Sequence, residues 1–199
     1  MARTTEARSG PAGQRARSSG LPPMRFEAQC RALAATVYDL LADLPGHLEF
    51  AGRRQGETTR LLTMDATPGP AEVGTEFRST GSDGKVAVWH DRSVVTEATR
   101  PSAFEFVTEG VRHGKPGSTP MEATTVHRYE IATTGDGCRV TYHGEITRTA
   151  GFPGIVRAPL VGRLLVRMSA KYMRRGFDAL IALAEERAGF RPPAEEGSR

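Results

Sequence analysis

Apolar and polar residues alternate through Met24-Arg25-Phe26-Glu27-Ala28-Gln29-Cys30-Arg31, the period of a strand with one covered face. Met24, Phe26, Ala28 and Cys30 share that face. The period then changes. Over 34–42 and just beyond, Val37, Leu40, Leu41 and Leu44 recur at helical spacing until Pro45-Gly46 breaks the run, as proline and glycine do in a helix interior. A second short helical piece is expected at 47–51, so two short helices follow the first strand directly.

From 59 to 149 the pattern returns to strands divided by turn chemistry. The strands are expected at 60–65, 74–79, 86–98, 103–109, 122–134 and 138–149. Between them lie Pro68-Gly69-Pro70, Gly81-Ser82-Asp83-Gly84, Arg100-Pro101, a Gly/Pro-rich loop through Pro120, and Gly135-Asp136-Gly137. This is an antiparallel meander of six strands, and the first strand makes seven. The last element, 158–188, reads as one long helix. Pro159 suits its first turn, and Leu160, Leu164, Met168, Tyr172, Met173, Phe177, Leu180, Ile181 and Ala184 trace an apolar stripe. Such a helix spans roughly 45 Å, so one end should project past the sheet. Gly176, in its middle, marks a bend or a close approach. The order of elements defines an α+β fold, a curved antiparallel sheet wrapped around one long C-terminal helix.

So little helix cannot fill a strongly curved concave face, and a cavity is expected whose wall is set by strand parity. Val140, Tyr142, Gly144 and Ile146 share the inner face of the last strand, and Thr125, His127, Tyr129 and Ile131 that of the strand before. A two-residue turn at Asp136-Gly137 sets Tyr129 opposite Gly144; a turn one residue earlier sets it opposite Tyr142. The inward sets are the same in both registers. Phe104 and Phe106 alternate on the fifth strand, and Phe77 and Ser79 fall on the third. On the fourth, Trp89, Asp91, Ser93 and Val95 compete with Val88, His90, Arg92 and Val94 for the inner face. The first set is favoured because Trp89, the only tryptophan, is the largest apolar surface in the chain. Phe77, Trp89, Phe104, Phe106, His127, Tyr129 and Tyr142 from the sheet, with Met168 and Tyr172 from the helix, are therefore the expected ligand-binding residues. His127, Tyr129 and Tyr142 make a polar cluster in an apolar wall, able to orient a polar ligand group or to move protons.

Composition changes the picture in one respect. The chain has 199 residues, 38% hydrophobic, with 27 Lys+Arg against 23 Asp+Glu, and a pI of 9.4. That balance invites a polyanionic partner. Arg3, Arg8, Arg15 and Arg17 stand against Glu6 in a stretch rich in Gly, Ser, Pro and Ala, which reads as a disordered tail over 1–22. A second tail is expected over 190–199, leaving one domain at 23–189 that is close to neutral. Nucleic acid is not an expected partner, since the remaining charges are not interleaved with aromatics. Arg163, Arg167, Lys171 and Arg175 step by four along the long helix, a basic face expected opposite the apolar stripe. Such a face suits peripheral contact with an anionic membrane or an acidic carrier protein.

No HxxxH or CxxC spacing occurs, so neither a metal site nor a cofactor is expected. No phosphate loop or nucleophile elbow is present either, and no catalytic residue is assigned. Two cysteines without an export signal fit a reducing cytoplasm.

Over about 24–188 the chain resembles the SRPBCC superfamily, the helix-grip fold shared by START domains, Bet v 1-like proteins and polyketide cyclase/dehydrases. The likeness is carried by Ala34-Ala35-Thr36-Val37-Tyr38-Asp39-Leu40-Leu41-Ala42-Asp43-Leu44, by Trp89 through Val95-Thr96-Glu97 with Pro101, by Gly137-Cys138-Arg139-Val140-Thr141-Tyr142, and by Gly176-Phe177-Asp178-Ala179-Leu180. The resemblance implies a long helix standing off the sheet over a ligand cavity that opens near the short helices. It implies that Cys30 and Cys138 lie on neighbouring antiparallel strands, as two thiols. It further implies binding of a hydrophobic small molecule, a lipid, isoprenoid or polyketide. The alternative is an enzyme of the polyketide cyclase, aromatase or dehydrase kind acting on a poly-ketone.

Overall fold

The computed structural model describes residues 19–53, 59–82, 88–114, 117–152 and 159–190. The expected tails over 1–18 and 191–199, the turn at 83–84 and the first residues of the fourth strand lie outside the described residues. Seven strands form one antiparallel sheet: β1 Met24–Cys30, β2 Arg60–Ala66, β3 Glu76–Ser82, β4 Val88–Thr99, β5 Ala103–His113, β6 Met121–Thr134 and β7 Gly137–Ala150. Their order is β1-β7-β6-β5-β4-β3-β2. The six later strands therefore follow one another as a meander, and β1 pairs back onto the last of them. Helix α1, Ala34–Ala42, and a π-helical turn, Leu48–Arg53, follow β1, and helix α2, Pro159–Arg187, closes the chain. This is the helix-grip arrangement.

Alternation in β1 becomes burial as its period demands, with Met24 and Cys30 buried and Arg25, Glu27 and Gln29 exposed. Cys30 lies opposite Cys138, and both are buried free thiols; burial pushes the Cys138 thiol up to about 12. The β6–β7 hairpin turns at Gly135-Asp136, so that Thr134 pairs with Gly137 and Tyr129 with Tyr142. The earlier of the two registers is adopted because the end of β1 covers residue 137, where a Cβ would stand 2.2 Å from the Cys30 carbonyl oxygen. Glycine is needed there under β1, with φ at +150°, rather than inside the turn. On the convex face Glu97, Glu105 and Arg128 form one cross-strand row, and Arg128 bonds both glutamates and Glu130. A cation between acids ties β4, β5 and β6 in register.

The core is built at one end of the grip. Val37, Leu40, Leu41 and Leu44 pack with Phe104, Val140, Leu180, Leu183 and Ala184, all almost fully buried. Tyr38 meets Phe104 edge-on at 6.0 Å. At the N-terminal end of the domain, Ser19 donates to the Ile146 carbonyl and Leu21 packs against the core. Contact with the sheet thus begins four residues before the expected start of the domain.

Helix α2 turns one side inward: Val166, Phe177, Leu180, Ile181 and Ala184 belong to the core and Ala170 and Met173 pack against it, whereas Leu160, Leu164 and Met168, across the helix, are exposed at 78%, 59% and 54%. At 100° per residue these three side chains share a side with Arg163, Arg167 and Lys171. The basic face expected opposite the apolar stripe is instead interleaved with its first part.

Candidate ligand-binding cavity

The cavity lies against the middle of α2. It holds about 230 Å³ between the concave sheet, the π-helical turn and the middle of α2. Phe77, Trp89, Phe106, His127, Tyr129 and Tyr172 line it, as expected from parity. Phe50 and Ala51 bring in the π-helical turn, and Met173, Gly176 and Phe177 form the helix side. Gly176 thus marks a close approach to open space, where a side chain would intrude. A second hollow of about 250 Å³ continues toward the far rim of the sheet and shares Trp89, Asp91, Thr108 and His127 with the first.

Three expected residues fall elsewhere. Met168 points to the outside, on the side of α2 away from the core, and does not reach the cavity. Phe104 is wholly buried in the core beneath it. Tyr142 is buried behind the wall, where its hydroxyl lies 2.9 Å from His127 Nδ1. Tyr142 therefore supports His127 rather than presenting itself to a ligand.

The polar cluster is tightly arranged. His127 stacks on Phe106 with centroids 4.7 Å apart, and Tyr129 packs on Tyr142 at 5.0 Å. Loss of water lowers His127 to about 4 and raises both phenols. All three are neutral near pH 7. Ser93 and Thr108 satisfy one another across β4 and β5 at 2.9 Å.

Two polar residues stand out beyond those expected as site residues. His47, between α1 and the π-helical turn, is buried on the cavity wall, and its Nε2–H donates to the Leu41 carbonyl at 2.8 Å. Burial lowers its pKa. Asp91 shares the inner face with Trp89, and desolvation raises its carboxyl to about 6 against weak help from Ser79 and Trp89.

The wall makes room for these groups with glycines in strand interiors, where glycine weakens a sheet and signals close approach. A Cβ on Gly81 would stand 2.1 Å from the Trp89 ring, one on Gly110 2.7 Å from Asp91 Oδ1, and one on Gly144 2.5 Å from the Tyr142 hydroxyl. Gly81 lies opposite Trp89, Gly110 opposite Asp91, and Gly144 opposite His127. These glycines are the signal through which sequence reasoning could have found Asp91. Among the described residues, no group of three or more His, Cys, Asp or Glu side chains comes together as a metal site would require. No described helix is long and apolar enough to cross a membrane.

A family model described as polyketide cyclase / dehydrase and lipid transport matches residues 24–185, and the chain belongs to that family, within the SRPBCC superfamily. None of the curated proteins compared with it matches its sequence. Solved structures share the fold at low identity. A protein from Rhizobium leguminosarum is 12% identical with a TM-score of 0.60, over 83% of this chain and 95% of that one. The Mll3558 protein from Rhizobium loti is 17% identical with a TM-score of 0.56, over 81% and 95%. Ara h 8.0201 is 12% identical with a TM-score of 0.53, over 83% and 99%.

Proposed function

We infer that the protein binds a hydrophobic small molecule, of lipid, isoprenoid or polyketide character, in the space between sheet and α2. The observation that carries this reading is the aromatic-walled cavity of about 230 Å³ opening into a second hollow at a polar centre. An apolar cavity of about 150 Å³ already holds benzene, so this one takes a ring system with a chain or head extending beyond it. Membership of a family described by polyketide cyclisation, dehydration and lipid transport supports the same class of ligand.

The state of the His127–Tyr142 pair speaks against those two side chains as the acid and base of a cyclase. An acid–base catalyst works best with a pKa near the operating pH, and His127 at about 4 with Tyr142 well above its ordinary value brackets neutrality widely. The exposed side of α2, where Leu160, Leu164 and Met168 interleave with Arg163, Arg167 and Lys171, supports docking to an anionic membrane from which such a ligand is exchanged.

Native mass spectrometry of the protein purified from its own host tests the reading. An added mass released on denaturation, soluble in organic solvent, is expected. Protein of bare chain mass that also fails to take up lipid, isoprenoid and polyketide extracts would refute it.

A further inference from the structure

A carboxylate withdrawn from water costs several kcal/mol unless a cation or good donors replace its hydration. Asp91 is half-buried, and its donors are few. It projects from the middle of β4 onto the concave face and lines both the cavity and the adjoining hollow. Ser79 Oγ approaches it at 3.4 Å, a long bond, and the Trp89 side chain supplies the other donor. Arg92, the next residue, points to the convex face and pairs with Glu76. Arg112 lies at the exposed rim of the hollow.

The seat of this carboxylate is shaped. Gly110 stands directly across β5, and a methyl there would press on Oδ1. The indole of Trp89 lies over Gly81 beside it, and Phe77 and Phe106 line the same cavity. A carboxylate in an aromatic-lined cavity offers a cationic head its opposite charge while the rings take the apolar remainder.

We propose that Asp91 is the recognition group for a hydrogen-bond-donating head, foremost a protonated amine, on an otherwise apolar ligand, and that it turns away ligands ending in a carboxylate. The assignment rests on the cavity being a ligand site. It narrows the ligand class, since free fatty acids and other anionic amphiphiles would meet a like charge.

Three probes of one shape test it on the full chain at pH 8: 2-naphthylmethylamine, 2-naphthylmethanol and 2-naphthoic acid, each titrated by calorimetry. A charge-assisted bond in a desolvated site is worth about 1.5–3 kcal/mol, so the amine should bind about tenfold or more tighter than the alcohol, with the acid weakest. Asp91→Asn should bring the three affinities to within about threefold of one another by removing that charge. Gly110→Ala, which displaces the carboxyl group without removing it, should weaken the amine selectively. If the acid binds as well as the amine, or Asp91→Asn leaves the order unchanged, the assignment is overturned while the cavity reading stands. If no probe binds either protein, both readings fall.

Discussion

A lone carboxylate in the cavity wall should make the protein less stable than it could be, and Asp91→Asn should reveal by how much. A carboxyl raised from 3.8 to about 6 on folding corresponds, at 1.4 kcal/mol per tenfold, to about 3 kcal/mol of cost for the ionised form. Between these two values the folded state binds more protons than the unfolded chain, so this contribution to stability falls as pH rises from 4 to 6. Above pH 6 the cost is fully present. His127 acts in the opposite sense: its folded pKa, lowered to about 4, makes stability fall as pH drops from 6.5 to 4. Wild-type stability alone would therefore blur the two, and the difference between variant and wild type isolates Asp91. Asparagine keeps the shape and removes the charge, although its amide still needs partners, so a net gain of about 2 kcal/mol at pH 8 is expected, vanishing by pH 4. Urea unfolding of both proteins at half-unit steps from pH 4 to 8 gives the curve. A variant no more stable than wild type at pH 8, or a difference flat across the range, would refute the reasoning.

Tyr142→Phe removes the partner of His127 Nδ1 and should cost about 1–2 kcal/mol in thermal or urea unfolding, while ligand uptake survives because Tyr142 lies behind the wall. The two sides of α2 should respond differently: Leu180→Ala, at a fully buried site, should cost about 2–5 kcal/mol, whereas Leu160→Ser with Leu164→Ser should leave unfolding within about 0.5 kcal/mol of wild type. The same double variant should lose cosedimentation with vesicles containing anionic lipid, and Arg163→Glu with Arg167→Glu should do likewise; vesicle binding that persists in both would remove the membrane reading.

Much of this architecture is legible in the alternation of residues, because a half-buried strand writes its covered face into the sequence at period two. Trp89, Phe106, His127 and Tyr129 line the cavity for that reason. The misplaced residues have physical causes. Leu160, Leu164 and Met168 are apolar but sit across α2 from Val166, Phe177 and Ala184, so apolarity assigned them to a stripe that the helical period does not join. The same period puts Arg163 and Arg167 beside those leucines rather than opposite them. His47 falls in the irregular join between α1 and the π-helical turn, where no period operates. Asp91 has the right parity, yet a carboxylate on a strand becomes significant only when the neighbouring strands remove its water. Gly81, Gly110 and Gly144, three glycines at inward positions of long strands, carried that information.

If the space under Gly176 takes an apolar ligand, Trp89, the only tryptophan, reports on it from the opposite wall. Titration of Trp89 emission with 2-naphthylmethanol, on wild type and on Gly176→Leu, tests it most directly. Leucine favours the helix by about 1 kcal/mol over glycine while filling the cavity. A saturable change in wild type, lost in a Gly176→Leu variant that keeps its circular dichroism, is the predicted result; a change that is absent, or that is the same in both proteins, would contradict the account.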